Sequence, residues 1–220
     1  RDPALIMGEL AYTYDIGGGA ASLPGTAKLG AWGHLARFND QRFAEPVPGG
    51  AILLADPASS GIGRRLPGNA GGYVVVDQLL YREAGSESGG LGMFVRVLGA
   101  PGDRNVLSFY ADGGLTYKGL VPGRPDDTVG VAAAYAQVSD AVRAFDADVA
   151  RFNPGTPQPA RKSEALVEVS YQAQIVPGWT VQPNVQYVRR PGAGVPNPFS
   201  PTGAVVKDAA VLGLRSAIKY

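Results

Sequence analysis

The side chains that could do chemistry in this sequence are few and scattered. It contains one histidine, His34, and no cysteine. A thiolate or histidine-based metal site, a disulfide framework and a His-dependent nucleophilic triad are therefore not expected. The glycine clusters Gly17-Gly18-Gly19, Gly49-Gly50 and Gly89-Gly90 lack the spacing of phosphate-cradling loops, and no Gly-x-Ser-x-Gly elbow occurs. "PDD" at 125–127 reads as a turn with an Asp side chain capping backbone amides, because adjacent carboxylates diverge too far to share a cation. Glu164 and Glu168 form the best carboxylate pair, yet at strand rise they lie about 13 Å apart. Glycoside hydrolysis needs its two carboxyl groups closer than this. No enzyme, catalytic residue, cofactor or metal is expected.

What remains is a set of polar residues at alternating positions: Asp112, Lys118, Glu164, Glu168, Gln172, Gln174, Gln182, Asn184, Gln186, Arg215 and Lys219, with Arg96 opposite Met93, Val95 and Val97. A face that mixes Arg, Lys, Glu, Asp and amides offers donors and acceptors together, which suits a neutral polyhydroxyl solute. Trp32 either adds an apolar platform for a sugar ring or packs as a girdle residue. The candidate solute-facing set is Trp32, Arg96, Asp112, Lys118, Glu164, Glu168, Gln172, Gln182, Asn184 and Arg215.

These residues sit in strand-like segments at 5–14, 26–38, 72–81, 91–98, 105–118, 128–138, 163–176, 179–188 and 206–220. In 163–176, Ala165, Val167, Val169, Tyr171, Ala173 and Ile175 alternate with Glu164, Glu168, Ser170, Gln172 and Gln174; only Leu166 is out of place. In 179–188, Trp179, Val181, Val185 and Tyr187 oppose Thr180, Gln182, Asn184 and Gln186. The Val74-Val75-Val76 run leaves the facing of 72–81 open. Most segments exceed the ~5–6 residues usual in soluble sheets and match the ~9–11 of membrane-spanning strands. Tyr12, Tyr14, Tyr81, Tyr117, Trp179, Tyr187 and Tyr220 fall near the ends of apolar faces, where amphipathic rings meet a lipid–water boundary.

Composition agrees. Charged residues are 18 % of the chain and the net charge is +1, so no field recruits nucleic acid. The 31 Gly and 18 Pro favour many turns over long helices. No apolar run approaches the ~18 residues of a spanning helix. "RDPALIMGEL" lacks the succession of a secretory signal, which implies a removed signal or an interior start. Connections tend to alternate long and short, with "GAPGDR" as an exception; loops 39–71, 139–162 and 189–205 would lie outside and the "VPG" turn on the periplasmic side. Within one long loop, Val142, Phe145, Val149 and Phe152 have helical spacing. This predicts a rim helix near 140–152, N-capped by Ser139 or Asp140.

The fold class expected is thus all-β, a transmembrane antiparallel barrel with a polar, water-filled interior. A soluble all-β carbohydrate-binding module is the alternative, with a second sheet covering the apolar faces; recovery without detergent would favour it.

The block "GLGMFVRVLGAPGDRNVLSFYADGGLTYKGLVPGRPDDTVGVAAAY" (90–135) resembles the signature region of the carbohydrate-selective outer-membrane porins, the OprB family. "SLPGTAKLGAW" (22–32), "GGYVVVDQLLY" (71–81), "EALVEVSYQAQIVPGWTVQPNVQYVRRPG" (164–192) and "DAAVLGLRSAIKY" (208–220) extend the likeness over nearly the whole chain. The resemblance implies a sixteen-stranded outer-membrane barrel of a Gram-negative cell that passes glucose-like sugars by passive diffusion. It implies contacts with outer-membrane lipid, and recognition of the terminal Tyr220 by the barrel-assembly machinery. Such porins are about twice this length, so 1–220 is expected to be the C-terminal portion of a single barrel domain. A general diffusion pore without sugar selectivity is the rival within the class.

Overall fold

A computed structural model describes residues 3–19, 22–86 and 88–219; Tyr220 lies outside them, so the expectations placed on its ring have no structural counterpart here. Nine strands run in sequence: β1 (Leu5–Ile16), β2 (Leu23–Ala44), β3 (Gly63–Arg82), β4 (Gly90–Gly99), β5 (Leu107–Lys118), β6 (Thr128–Val138), β7 (Ser163–Val176), β8 (Trp179–Arg189) and β9 (Ala209–Ile218). One helix, α1 (Asp140–Phe152), separates β6 from β7. Each strand pairs antiparallel with the next, giving one sheet in the order β1 to β9.

Because directly paired residues share a face of the sheet, the register sorts every side chain. One row runs Leu29–Val74–Val97–Ala111–Tyr135–Ala165, and another runs Met93–Leu115–Val131–Val169–Val185–Leu212. These belong to the apolar face. Lys28–Val75–Arg96–Asp112 is a row of the opposite, polar face. The register thereby resolves the valine run: Val74 and Val76 are apolar-face residues and Val75 is not. Leu166, out of place in the alternation, pairs with Ala134 and Val188 on the polar face.

No second layer covers the apolar face. Among the described residues the buried hydrophobics are Ala44, Val138, Val142 and Ala193, while Val169 is 50 % and Leu212 81 % exposed. Aromatic rings band this face near both ends. Tyr12 stacks on Tyr14, and Tyr81 meets Tyr117, toward one end; Phe109 meets Tyr135 toward the other. Phe109 and Tyr117 are eight residues apart on β5, as are Trp179 and Tyr187 on β8. That is roughly 27 Å along a strand, or about 20 Å of height at the ~40° tilt of a barrel strand, close to the ~25 Å apolar band of outer-membrane barrels.

Strand edges differ from the sequence expectation by up to three residues, with one larger correction. Nearly half of the loop expected at 39–71 is strand: β2 continues to Ala44 and β3 begins at Gly63, leaving 45–62 as the connection. Pro67 and four nearby glycines disguised it, since such residues read as loop. The hairpin persists past an irregularity between His34 and Arg37, where Arg37 pairs with Pro67 and Asn39 with Arg65. Gly68 at the irregularity has φ +67, a left-handed conformation that glycine adopts at low cost.

The helix starts and stops as the spacing predicts. Ser139 is the N-cap, its Oγ accepting from the Val142 amide, and the Asn153 amide donates to Val149 O at the other end. Its packing differs from the expected apolar stripe. Of that stripe only Val142 is fully buried, and the other buried positions are Asp146 and Asp148. The rim has too little apolar surface to bury a hydrophobic face, and ion pairs hold the helix instead: Arg161 binds Asp146 through Nε (2.9 Å) and Arg42 binds Asp148.

Candidate functional site

Since every strand reverses, connections collect at two ends. The β1–β2 and β3–β4 connections, 119–127 and 177–178 lie at one end, and 45–62, 100–106, 139–162 and 190–208 at the other. The long loops thus share an end, except for the short 100–106. Between the two ends stretches the polar face, the candidate site.

All ten sequence-predicted residues have register positions on this one face, spread from β2 to β9 without converging on a pocket. Trp32 pairs with Gly71, and a Cβ added at Gly71 would come within 2.6 Å of the indole nitrogen; the indole lies where only glycine leaves room. Arg96 grips Asp112 with two hydrogen bonds, Nε to Oδ1 at 2.8 Å and Nη2 to Oδ2 at 3.0 Å. Its guanidinium also lies 5.8 Å from the Tyr110 ring centroid. Glu168 accepts from the Gln186 amide. Asn184 pairs with Ser170 and Gly213, Gln172 with Thr128, and Gln182 with Arg215. Among the described residues the Arg215 side chain makes no hydrogen bond or ion pair.

Two of the ten lie at the margins of the wall. Lys118 sits where β5 ends, donating to Ser88 Oγ at 2.8 Å and lying 3.7 Å from Asp126. Glu164 sits at the long-loop end, accepting from the Gly192 amide at 2.6 Å.

The register adds residues absent from that set. Tyr73 donates to Glu9 Oε2 at 2.6 Å, and Lys28 lies 3.6 Å from Glu9 Oε1. Asp77 shares the face through Thr26 and Phe94. Glu9 is the one charge between Leu5 and Tyr14, a signal the sequence does carry. Tyr73 and Asp77 flank the valine run whose facing was unreadable.

The electrostatic character follows from this pairing. Lys28, Arg96 and Lys118 each stand beside a carboxylate, so the wall carries charge without a dominant sign. Exposed pairs of this kind stabilise by only about 0–1 kcal/mol, so their main consequence is local neutrality with many donors and acceptors facing solvent. Among the described residues no group of three His, Cys, Asp or Glu side chains could hold a metal ion.

Each end of the wall is pinned by a carboxylate on backbone amides. At the short-turn end the buried Asp127 accepts from Arg124 Nε at 2.7 Å, from the Gln174 amide at 2.9 Å and from the Tyr171 hydroxyl. The Arg124 guanidinium first, then the Tyr171 and Gln174 donors, hold its carboxyl down at about 2. The Asp capping expected of "PDD" is thus present, but the backbone amide it takes belongs to the neighbouring β7, and within its own turn it holds the Arg124 guanidinium. At the long-loop end Asp208 takes the Arg190 amide and the Tyr187 hydroxyl, both at 2.9 Å. The amide contact comes first in lowering its pKa.

Comparison with known proteins fits this geometry. The curated Porin B of Pseudomonas aeruginosa is 29 % identical over 195 residues, covering 86 % of this chain and 41 % of that protein. A solved structure of Pseudomonas putida OprB at high pH superposes with TM-score 0.82 at 25 % identity, over 99 % of this chain and 49 % of that one. The chain thus spans about half the length of these relatives. The family described as carbohydrate-selective porin, OprB family, matches residues 1–220. By that match over its whole length, the chain belongs to the OprB family of carbohydrate-selective porins.

Proposed function

We propose that this chain is part of the wall of an outer-membrane channel through which neutral sugars diffuse passively, with the apolar face turned to lipid and the polar face to water. The observation that carries this reading is a single-layer sheet with two unlike faces. Val169, Val185 and Leu212 stay exposed on one side, while Arg96–Asp112 and Glu9–Lys28 pair on the other. An apolar face this large is tolerable only when something apolar covers it, and acyl chains do so without a second protein layer. The open edges of β1 and β9 would be costly at membrane depth. Further strands of a longer chain, of which 1–220 is the C-terminal portion, would close them into a barrel.

The ten candidates, with Glu9, Lys28, Tyr73 and Asp77, would then line the lumen. Paired charges and amides favour a solute that both donates and accepts hydrogen bonds over an ion of either sign. No energy input, cofactor or bond-making step enters this reading. Tyr220 would serve as the terminal aromatic recognised during barrel assembly, and deleting it should lower the yield of assembled protein.

The test is liposome swelling with the full-length protein. Glucose and related neutral sugars should enter faster than into protein-free vesicles, and faster than amino acids or organic anions of similar size. Entry at rates set by size alone would mark a general diffusion pore, and no acceleration would overturn the channel.

A further inference from the structure

The connection between β6 and β7 reaches unusually far. It leaves the sheet at β6, yet its helix is held by β2, with β3, β4 and β5 between them. The near end is seated on the 100–106 loop. The Ser139 amide donates to Val106 O at 2.8 Å, and a Cβ at Gly102 would fall 3.0 Å from Ser139 Cβ. At the far end Arg42 donates to Asp148 through Nε at 2.8 Å and Nη2 at 3.4 Å. The Asp148 side chain is only 11 % exposed.

Dimensions agree with a span. From Ser139 to Asp148 the helix rises about 14 Å, and the three strand spacings from β5, where Val106 takes the Ser139 amide, to β2 measure about 14 Å. The extended β2–β3 hairpin comes to meet the helix and is itself tied down to the loop between. Gln41 N donates to Asp103 O at 2.7 Å, Arg104 Nη1 reaches the Pro67 and Gly68 carbonyls, and Asn69 and Asn105 exchange amide hydrogen bonds. The short 100–106 connection, the one exception to the loop-length pattern, leaves room for the helix to pass. Along β2, Phe38 stands edge-on to His34, 5.4 Å between ring centroids, and His34 belongs to the polar face with Trp32. Val138, in the polar-face series of β6 with Ala134 and Ala136, is buried together with Val142 of the helix, so α1 leaves the wall on the polar side.

We propose that α1 is a beam across the long-loop mouth that sets the largest solute admitted, and that Arg42 and Asp148 are the positioning pair that hold it there. This rests on the channel reading of the polar face. The beam narrows the entrance from one side, whereas the lumen-wall residues contact solute further in.

Size-graded swelling tests it on the full-length protein, with glucose and neutral oligosaccharides of increasing length. Asp148→Arg sets two cations against each other. It should speed entry of the longer oligosaccharides several-fold while changing glucose entry little, and Arg42→Asp in the same chain should restore the original size limit. Residues 1–220 contain no cysteine, so Arg42→Cys with Asp148→Cys, any cysteine elsewhere in the full-length protein being replaced, and a short thiol-reactive cross-linker check the span directly. Cross-linking should occur in the assembled protein and return a wild-type size limit. An unchanged limit in Asp148→Arg, or no cross-link in assembled protein, overturns the beam alone. Wild-type vesicles that swell no faster than protein-free ones overturn the channel reading and the beam together.

Discussion

The β7–β8 hairpin and the β2–β3 hairpin are built on opposite plans. β7 and β8 are 14 and 11 residues long and turn through two residues, with apolar and polar positions alternating along almost their whole length. Their facing follows from composition at each position, because one side meets an apolar medium and the other a polar one. β2 and β3 are 22 and 20 residues long and outrun that two-sided environment. Past His34 the alternation gives way to register shifts, and the buried Asp40 takes over the organisation. Its carboxylate accepts from the Arg42 and Phe43 amides and from Arg64 Nη2 at 2.7 Å. The wall is thus specified by a local pattern and the mouth by individual polar contacts.

The contrast is broken most directly by charging the wall. Val169→Arg places a cation on the apolar face and should cost about 2–4 kcal/mol if that face meets lipid near the midplane. The yield of assembled barrel and its unfolding in denaturant would show the loss. Gln172→Arg, three residues on and on the other face, should assemble normally and alter conductance. Equal tolerance of both would mean that the two faces are not distinguished by their surroundings.

A smaller effect is expected at the mouth. Asp40→Ala leaves two amides and a guanidinium without their acceptor, a loss of about 1–3 kcal/mol confined to the extension. Amide exchange in 38–44 should accelerate while β7 and β8 stay protected; uniform acceleration would show that mouth and wall are one cooperative unit.

Acid sharpens the comparison at the opposite end. Asp127 titrates at about 2 in the folded protein, below the ~3.9 of an unperturbed Asp. Its contribution is therefore complete above about pH 4 and lost as pH falls toward 2. Proteolysis or amide exchange of the 119–127 turn should rise across that window in the wild type. Asp127→Asn, which has no charge to lose, should show a looser turn at neutral pH and little further change. An unchanged acid response in Asp127→Asn would assign the transition to other carboxylates.

The least effect is expected from Lys118→Met. The pair with Asp126 is exposed and 3.7 Å long, so less than about 1 kcal/mol should be lost. A large loss of stability would show that the short-turn end depends on single contacts as the mouth does.

Much was legible where a residue's surroundings repeat every second position. The polar assignments of Glu168, Gln172, Asn184 and Arg215 needed only alternation, and the helix was visible in Ser139 and the spacing of Val142 and Phe145. The β2–β3 extension was not, because Pro67 and the glycines around it carry the composition of a loop and are held as strand by their partners. Nor could Val75 be placed beside two apolar neighbours of the same kind until Arg96 was found across from it.

The amino-acid sequence by itself determined which side chains share a face along β5 to β8, where the β6–β7 helix begins, and that no thiolate chemistry is available. These depend on near neighbours and on residue type. Only the tertiary structure decided that the β6–β7 helix is held by β2, that Asp127 reads the backbone of β7, and that Lys28, Arg96 and Lys118 are matched by carboxylates. Arg42 and Asp148 stand 106 positions apart in the chain. A contact at that separation leaves no periodicity behind, because it depends on how five strands pair and curve before either side chain has a partner.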